Sequence, residues 1–201
     1  MGLSLQSKKI TLTIPKKAAL VCLLIVIAVG TFYSGRAIKS DYWYYKGMKA
    51  IAQTNLDRGE IHLRKALILN PQNSEAYLAM GHIWFLRKNK EKIKAPLEKS
   101  ITLFKSMNTM KISAHTFYYS EMYDEAEIVY LNIIEYFPFH LTSLAKLAQM
   151  YFIKKQYEKA HEFASRLLDC EPRVKNGSDY RNKVIASEII NITGPLLYSV
   201  E

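Results

Sequence analysis

The chain has 201 residues, of which 49% are hydrophobic and 23% charged, so it is long and apolar enough for a folded domain and is not a disordered segment. Its net charge of +10 is uneven, because residues 1–40 contain six basic residues and no acid. This distribution argues against nucleic acid as a partner and favours a membrane role for the N-terminal lysines. The two cysteines, Cys22 and Cys170, are too few for a disulfide framework.

A basic segment, residues 1–17, precedes an uncharged apolar stretch, residues 18–35, which ends at Arg36. As a helix, the apolar stretch would span about 27 Å, close to the roughly 30 Å of a bilayer's hydrocarbon core. We interpret it as a single transmembrane helix. A cleaved signal peptide with its small-residue site at residues 28–30 is the main alternative, and a buried soluble helix is another. The basic flank predicts a cytoplasmic N-terminus and an extracytoplasmic remainder, periplasmic if the organism is bacterial.

After this stretch a pattern recurs four times with a period of about 34 residues. The units cover about residues 40–73, 74–106, 107–140 and 141–174. Each unit has a small residue in its first predicted helix, and these are Gly47, Gly81, Ala114 and Ala148. Three units have a second small residue about 12 positions later, and these are Gly59, Ala126 and Ala160. Such a period is typical of helix–turn–helix units that cannot bury their apolar faces alone and therefore stack.

Over about residues 40–173 this pattern resembles the tetratricopeptide-repeat family. The resemblance implies an all-α, right-handed superhelical solenoid of about four repeats, here preceded by one transmembrane helix. The chain departs from the family pattern at several positions, which are Lys46, Ile93, Pro96, Lys105 and Met110. Pro96 lies inside the second helix of unit two, so we expect it to kink that helix or to delay its start.

The region after the fourth unit is predicted to close the stack. Residues 179–191 have helical spacing with Asp179 as a candidate cap, and we interpret them as a capping helix. Residues 192–201 contain Gly194-Pro195 and are predicted to form a frayed tail.

The residue types that carry catalysis or bind metals form no recognisable arrangement. The five histidines are dispersed, the cysteines lie far apart in sequence, and there is no glycine-rich phosphate loop. We therefore predict a protein that is not an enzyme and that has no metal or cofactor. A basic turn at residues 87–92 and an acidic one around Glu121 and Glu125 occupy equivalent places in adjacent units, so they could attract each other. Two alternatives are that these charges only confer solubility and that the basic turn contacts an anionic membrane.

The family resemblance implies that ligands lie against the first helix of each unit, on the concave face. The candidate groove residues on this basis are Tyr44, Met48, Leu78, His82, Phe85, Lys111, His115, Tyr118, Tyr119, Gln149 and Phe152. Chaperone-binding members of the family clamp a C-terminal carboxylate with polar residues. Tyr44, Met48 and Ala79 stand at those positions here, so we exclude that mode. An apolar groove suits an amphipathic helix or an extended hydrophobic segment.

These features predict a membrane-anchored scaffold or adaptor that binds protein segments. Two alternatives stay open: an accessory chaperone of an envelope secretion or assembly machine, and a subunit associated with a membrane glycan-transfer enzyme. Gly30 and Ser34 have the spacing of a helix-packing face, and a second copy of the chain or the capping helix could cover the groove. Homo-oligomerisation is therefore a further hypothesis.

Overall fold

The computed structural model describes residues 16–170 and 177–198 of the chain. Most of the predicted basic segment, the end of unit four and the last three residues of the predicted tail lie outside the described residues. All helices and strands assigned within the described ranges are α-helices. They are α1 (Lys16–Ala52), α2 (Leu56–Leu69), α3 (Ser74–Leu86), α4 (Lys90–Leu103), α5 (Met107–Tyr119), α6 (Tyr123–Tyr136), α7 (Leu141–Ile153), α8 (Tyr157–Asp169) and α9 (Gly177–Tyr198).

The first helix, α1, joins the apolar stretch to the first repeat without a break. Its 37 residues correspond to about 55 Å of helix. Residues 18–34 are exposed, and the side chains become buried from Ser40 onward, where the helix meets α2. Among the described helices, α1 has the length and composition to cross a membrane. The sequence predicted two separate elements here, and the structure has one.

The helices up to α8 form antiparallel pairs with short connections, α1 with α2, α3 with α4, α5 with α6 and α7 with α8. The N-terminal ends of α2 to α5 are capped in the same way, because a side-chain oxygen accepts a hydrogen bond from a backbone N–H in the first turn. The capping residues are Asn55, Asn73, Asn89 and Ser106. These caps fix where each helix begins, so the units repeat with nearly constant length.

Small residues set the closeness of the paired helices. A Cβ atom added at Gly81 would lie 2.7 Å from Cγ of Leu97, and one added at Gly47 would lie 2.9 Å from Cγ of Leu63. Ala114 and Ala148 occupy the matching positions in α5 and α7 and are fully buried. The predicted role of these four residues at the helix crossings therefore agrees with the structure.

The buried residues form two hydrophobic clusters. The first joins α1, α2 and α3 through residues such as Ile51, Leu63 and Ile83. The second begins at Trp84 and continues through all later helices to Ile189 in α9. The all-α helical-repeat fold predicted from the sequence is confirmed.

One detail of the prediction was wrong. The helix expected to end near Asn191 continues to Tyr198, and Thr193 is fully buried where it contacts His161 of α8. Of the two effects expected of Pro96, the delayed start is not found, since helix α4 begins at Lys90 and continues through the proline, and the kink stays a prediction. Burial of Thr193 against α8 explains why the helix persists beyond its predicted end.

The connections define two opposite edges of the stack. We call residues 53–55, 87–89, 120–122 and 154–156 the turn edge; they join the two helices within a unit. We call residues 70–73, 104–106 and 137–140 the loop edge; they join one unit to the next. Because the paired helices are antiparallel, the apolar part of α1 leaves the stack at the loop edge.

Candidate functional site

The helices are arranged in two layers that differ in how closely neighbouring units approach. The first helices of successive units contact each other, α1 with α3 and α3 with α5. Between the second helices there are clefts instead, one of about 550 Å³ between α4 and α6 and another between α2 and α4. The layer formed by α1, α3, α5 and α7 is therefore the inner one. We call its exposed side the inner face.

The predicted groove residues of the first two units form an apolar part of the inner face. Leu78 and Phe85 are half-buried and pack against the core, whereas Met48 remains 37% exposed. His82 stacks on Phe85 with ring centroids 6.1 Å apart. Burial lowers the pKa of His82, because a half-buried imidazolium loses hydration, and the ring is therefore neutral at pH 7.

At the start of this part, Tyr44 is half-buried beside the N-terminal turn of α3. Burial raises the pKa of Tyr44, and the nearby Glu75 raises it further by its charge and a hydrogen bond. Glu75 is the acid of α3, a helix that contains no Lys or Arg in its described length. This end of the inner face thus combines apolar surface with one exposed carboxylate.

The predicted groove residues of the last two units are held in a polar network. The Tyr118 hydroxyl donates a hydrogen bond to Oε1 of Gln149 at 3.0 Å, and Nζ of Lys146 donates to the same oxygen at 3.1 Å. The Lys146 ammonium also lies 4.2 Å from the ring centroid of Tyr118 and 5.1 Å from that of Tyr119. Burial, together with the neighbouring tyrosines, raises the pKa of Tyr118 to about 12, so it stays protonated.

Sequence reasoning missed Lys146, the residue that organises this network. It lies one helical turn before Gln149, and this i,i+3 spacing was the signal that could have found it. Within the described helices α5 and α7 the sequence has no Asp or Glu, and each helix has a single Lys, Lys111 in the first and Lys146 in the second. On α5 and α7 the inner face therefore carries cations without acids.

The other predicted residues of this half differ in accessibility. Tyr119 is 59% exposed and Lys111 is exposed, so both can meet a ligand. Phe152 is half-buried and packs edge-on against Tyr157 at 5.8 Å. The ring of His115 lies 6.0 Å from that of Tyr130 in the core, and its Nε2 is buried. Burial lowers the pKa of His115, and the charges of Lys146 and Lys111 lower it further. The ring is therefore neutral and lies at the bottom of the predicted groove.

The capping helix leaves most of this surface uncovered. Helix α9 packs mainly against α8 and also against α7, as the first helix of a further unit would. Ala186 and Ile189 are its buried contacts with the preceding pair. The exposure of Met48 and Tyr119 follows from this placement.

Ion pairs fix the units to one another at the turn edge. Arg87 of unit two binds both Asp57 and Glu60 of unit one. The same arrangement recurs between units three and four, where its members are Lys154, Asp124 and Glu127. Burial works against the charge of Lys154, but hydrogen bonds to the two acids outweigh it and raise its pKa.

The junction between units two and three uses different pairs. Nζ of Lys90 lies 2.7 Å from Glu121, and Nζ of Lys94 lies 2.8 Å from Glu125. The predicted attraction between the basic and acidic turns is confirmed for Lys90 and Glu121. Both residues of that pair are mostly exposed, so its contribution to stability is small.

Within the described residues there is no group of three His, Cys, Asp or Glu side chains that could hold a metal ion. The inner face instead offers apolar and aromatic surface, two lysines and an amide. Such a set can bind a polypeptide by burial, cation–π contacts and hydrogen bonds.

Comparisons with known proteins concern the fold. No protein-family model matches the sequence, and no curated protein is significantly similar to it. Pseudomonas aeruginosa PilF has a similar solved structure, with a TM-score of 0.58 and 16% identity, covering 80% of this chain and 77% of PilF. The chain has a tetratricopeptide-repeat-like fold. PilW, described as a widely conserved type IV pilus biogenesis factor, matches over 81% of this chain and 94% of its own with 11% identity, but its TM-score of 0.35 is too low for any inference.

Proposed function

We propose that this chain is a membrane-anchored scaffold that binds a segment of another protein along its inner face. The observation that carries the proposal is the change in chemistry along an uncovered surface. The part formed by α3 is apolar with one carboxylate, Glu75, and the part formed by α5 and α7 has lysines and tyrosines without acids. A solenoid of this kind gives a long surface but no enclosed reaction site.

The chemistry of the inner face specifies the kind of segment that fits. Apolar side chains of the partner would pack on Leu78, Phe85 and Met48, where burial of apolar area contributes about 25 cal/mol per Å². An acidic side chain further along would reach Lys111 and Lys146. The partner segment is therefore amphipathic, with apolar residues at one end and an Asp or Glu at the other.

The anchor in this proposal is the apolar part of α1. Its exposed residues have no protein partner to cover them within the described chain, whereas the same helix is buried in the first repeat. The basic residues before it favour a cytoplasmic N-terminus, with the solenoid on the opposite side of the membrane. Protease added to spheroplasts should digest the repeats; digestion only after the inner membrane is lysed would overturn this orientation.

Charge reversal at two lysines of the inner face, exposed Lys111 and half-buried Lys146, tests the binding surface. Lys111→Glu combined with Lys146→Glu should abolish recovery of the partner from native membranes, because an acidic segment would meet two carboxylates. The matched control is Lys99→Glu with Lys159→Glu, since both residues are exposed on second helices. Equal recovery with both double variants would refute binding at the inner face.

The same experiment separates a scaffold from a chaperone. A scaffold should yield one partner in a fixed ratio to the chain. A chaperone should yield many unfolded clients, whose binding depends on apolar surface, and Met48→Ser with Tyr119→Ser would then reduce recovery more than the lysine reversal. Recovery of many different clients that does not depend on Lys111 and Lys146 would favour the chaperone over the scaffold.

A further inference from the structure

The direction in which α1 leaves the solenoid is fixed by contacts with α2. The guanidinium of Arg36 donates hydrogen bonds to the backbone carbonyls of Ile68, at 3.0 Å, and Leu69, at 3.2 Å. These carbonyls are at the C-terminal end of α2, where a cation also complements the helix dipole. One turn later, the buried hydroxyl of Ser40 donates to the carbonyl of Ala66 at 3.0 Å. With an unbroken helix and these bonds, α1 cannot swing freely about the junction.

The junction between α1 and α2 also indicates which part of α1 lies at the membrane surface. Arg36 is the first charged residue after the apolar stretch, and such a residue lies at the boundary between hydrocarbon and headgroups. Since Arg36 is bonded to the end of α2, that end lies at the same boundary. The second helices of the following units end at the same loop edge, beside α2 in the stack.

The loop edge carries exposed aromatic side chains in units two and three. Phe104 is 61% exposed and Phe139 is 79% exposed. Phe137, in the same connection as Phe139, has about half of its surface exposed. Lys105 lies among them, with Nζ 4.8 Å from the ring centroid of Tyr136 and 3.3 Å from its hydroxyl. Within the described chain, the four turn-edge connections contain no aromatic residue. The two edges of the stack are therefore chemically different.

We propose that the loop edge of units two and three lies on the surface of the bilayer that α1 enters, with Phe104, Phe137 and Phe139 in its headgroup region. This inference rests on the membrane anchor of the proposed function. Aromatic and lysine side chains together are the residues that favour this interfacial region, because the rings bury apolar area while the ammonium stays hydrated. A lipid surface is the occupant favoured by continuity with α1, since the junction at Arg36 already holds this edge at the boundary.

The consequence concerns how the inner face is presented. A solenoid whose loop edge rests on the membrane has its helices roughly along the membrane normal and its turn edge pointing away. The inner face then opens parallel to the bilayer plane. A partner would be met beside the membrane and not from above it.

The test uses the full chain in vesicles of phosphatidylcholine and phosphatidylglycerol, some of whose lipids carry a nitroxide quencher. A single environment-sensitive fluorophore is attached to Phe139→Cys, or to Lys88→Cys at the turn edge, each in a Cys22→Ala, Cys170→Ala background. Both positions are exposed, so the substitutions leave the core intact. We expect blue-shifted, nitroxide-quenched emission at position 139 and water-like, unquenched emission at position 88.

The native Cys22, retained alone in a Cys170→Ala chain, reports on the anchor separately. Quenching at Cys22 without quenching at position 139 would overturn the edge contact and leave the anchor standing. Absence of quenching at Cys22 would overturn the anchor and the edge contact together. A blue shift at position 139 that lacks quenching and grows with protein density would assign the edge to a second copy of the chain instead.

Discussion

The first two units and the last two units solve the same packing problem with different residues. In α1 and α3, glycines receive the Leu63 and Leu97 side chains of the second helices, so the helices approach closely at Gly47 and Gly81. In units three and four, alanines stand at the same positions. The first helices change at the same boundary: α3 has one acid and no lysine, whereas α5 and α7 carry one lysine each and no acid. The comparison teaches that the repeat preserves helix spacing while its surface chemistry varies along the stack.

Gly81→Ala should cause the largest loss of stability among substitutions at the helix crossings. The new Cβ would lie 2.7 Å from Cγ of Leu97, and overpacking of this kind costs about 2–3 kcal/mol of unfolding free energy. Urea unfolding of the full chain in detergent, followed by circular dichroism, should show an earlier transition. Hydrogen exchange should rise first in α3 and α4.

Two glycines in α1 provide graded controls for this effect. Gly47→Ala should cost less, because the Cγ atom of Leu63 would lie 2.9 Å from the new Cβ, farther than the 2.7 Å between Leu97 and a Cβ at Gly81. Gly30→Ala should not destabilise the chain, since no atom lies within 4 Å. Equal losses of unfolding free energy for Gly81→Ala, Gly47→Ala and Gly30→Ala would show that a close helix crossing does not determine the cost of the added methyl group.

The second half depends on its capping helix. Thr193→Val keeps the shape of the side chain but removes the hydroxyl, which lies 2.9 Å from Nδ1 of His161 and donates to the carbonyl of Ile189 at 2.8 Å. We expect a loss of about 1–2 kcal/mol, because a polar atom of His161 would lose its partner. Ser187→Ala is the control, since that hydroxyl is exposed on the same helix. Amide hydrogen exchange should accelerate in α8 and α9. Acceleration in α2 and α3 instead would contradict the division of the core into two hydrophobic clusters.

The matching ion pairs at the turn edge should make the two halves respond alike. Arg87→Met and Lys154→Met each remove the cation that a largely buried glutamate binds across the junction, at a cost of about 1 kcal/mol. Glu60 keeps its pair with Arg64, and Glu127 keeps the hydrogen bond from Tyr151. Lys90→Met removes an exposed pair and should leave the unfolding free energy nearly unchanged. The midpoint of urea unfolding measures all three. A large difference between the Arg87 and Lys154 variants would mean that the two junctions are not equivalent.

The fold could be predicted because helix crossings tolerate few residue types. Gly47, Gly81, Ala114 and Ala148 recur at fixed spacing, and this recurrence indicated the solenoid. The end of α9 could not be predicted in this way, because Gly194 and Pro195 normally end helices, and the burial of Thr193 against α8 is a tertiary contact that the local sequence does not show.

The site was harder to predict than the fold. The resemblance to the tetratricopeptide-repeat family identified Tyr118 and Gln149 as groove residues. It did not identify Lys146, which is not at a groove position of the repeat but reaches both residues through its long side chain. The continuity of α1 was also missed, although residues 35–40 contain no proline or turn sequence. The predicted groove residues themselves remain a prediction about binding.

Crosslinking from two positions on opposite sides of the same unit tests the role of the inner face most directly. Tyr119 at the end of α5 is 59% exposed on the inner face, and Ile128 of α6 is 62% exposed in an outer cleft of the same unit. A photoreactive amino acid is placed at one or the other in the full chain, in its native membrane. Binding at the inner face predicts a discrete adduct from position 119 and none from position 128. An adduct from position 128 with none from position 119 would contradict it.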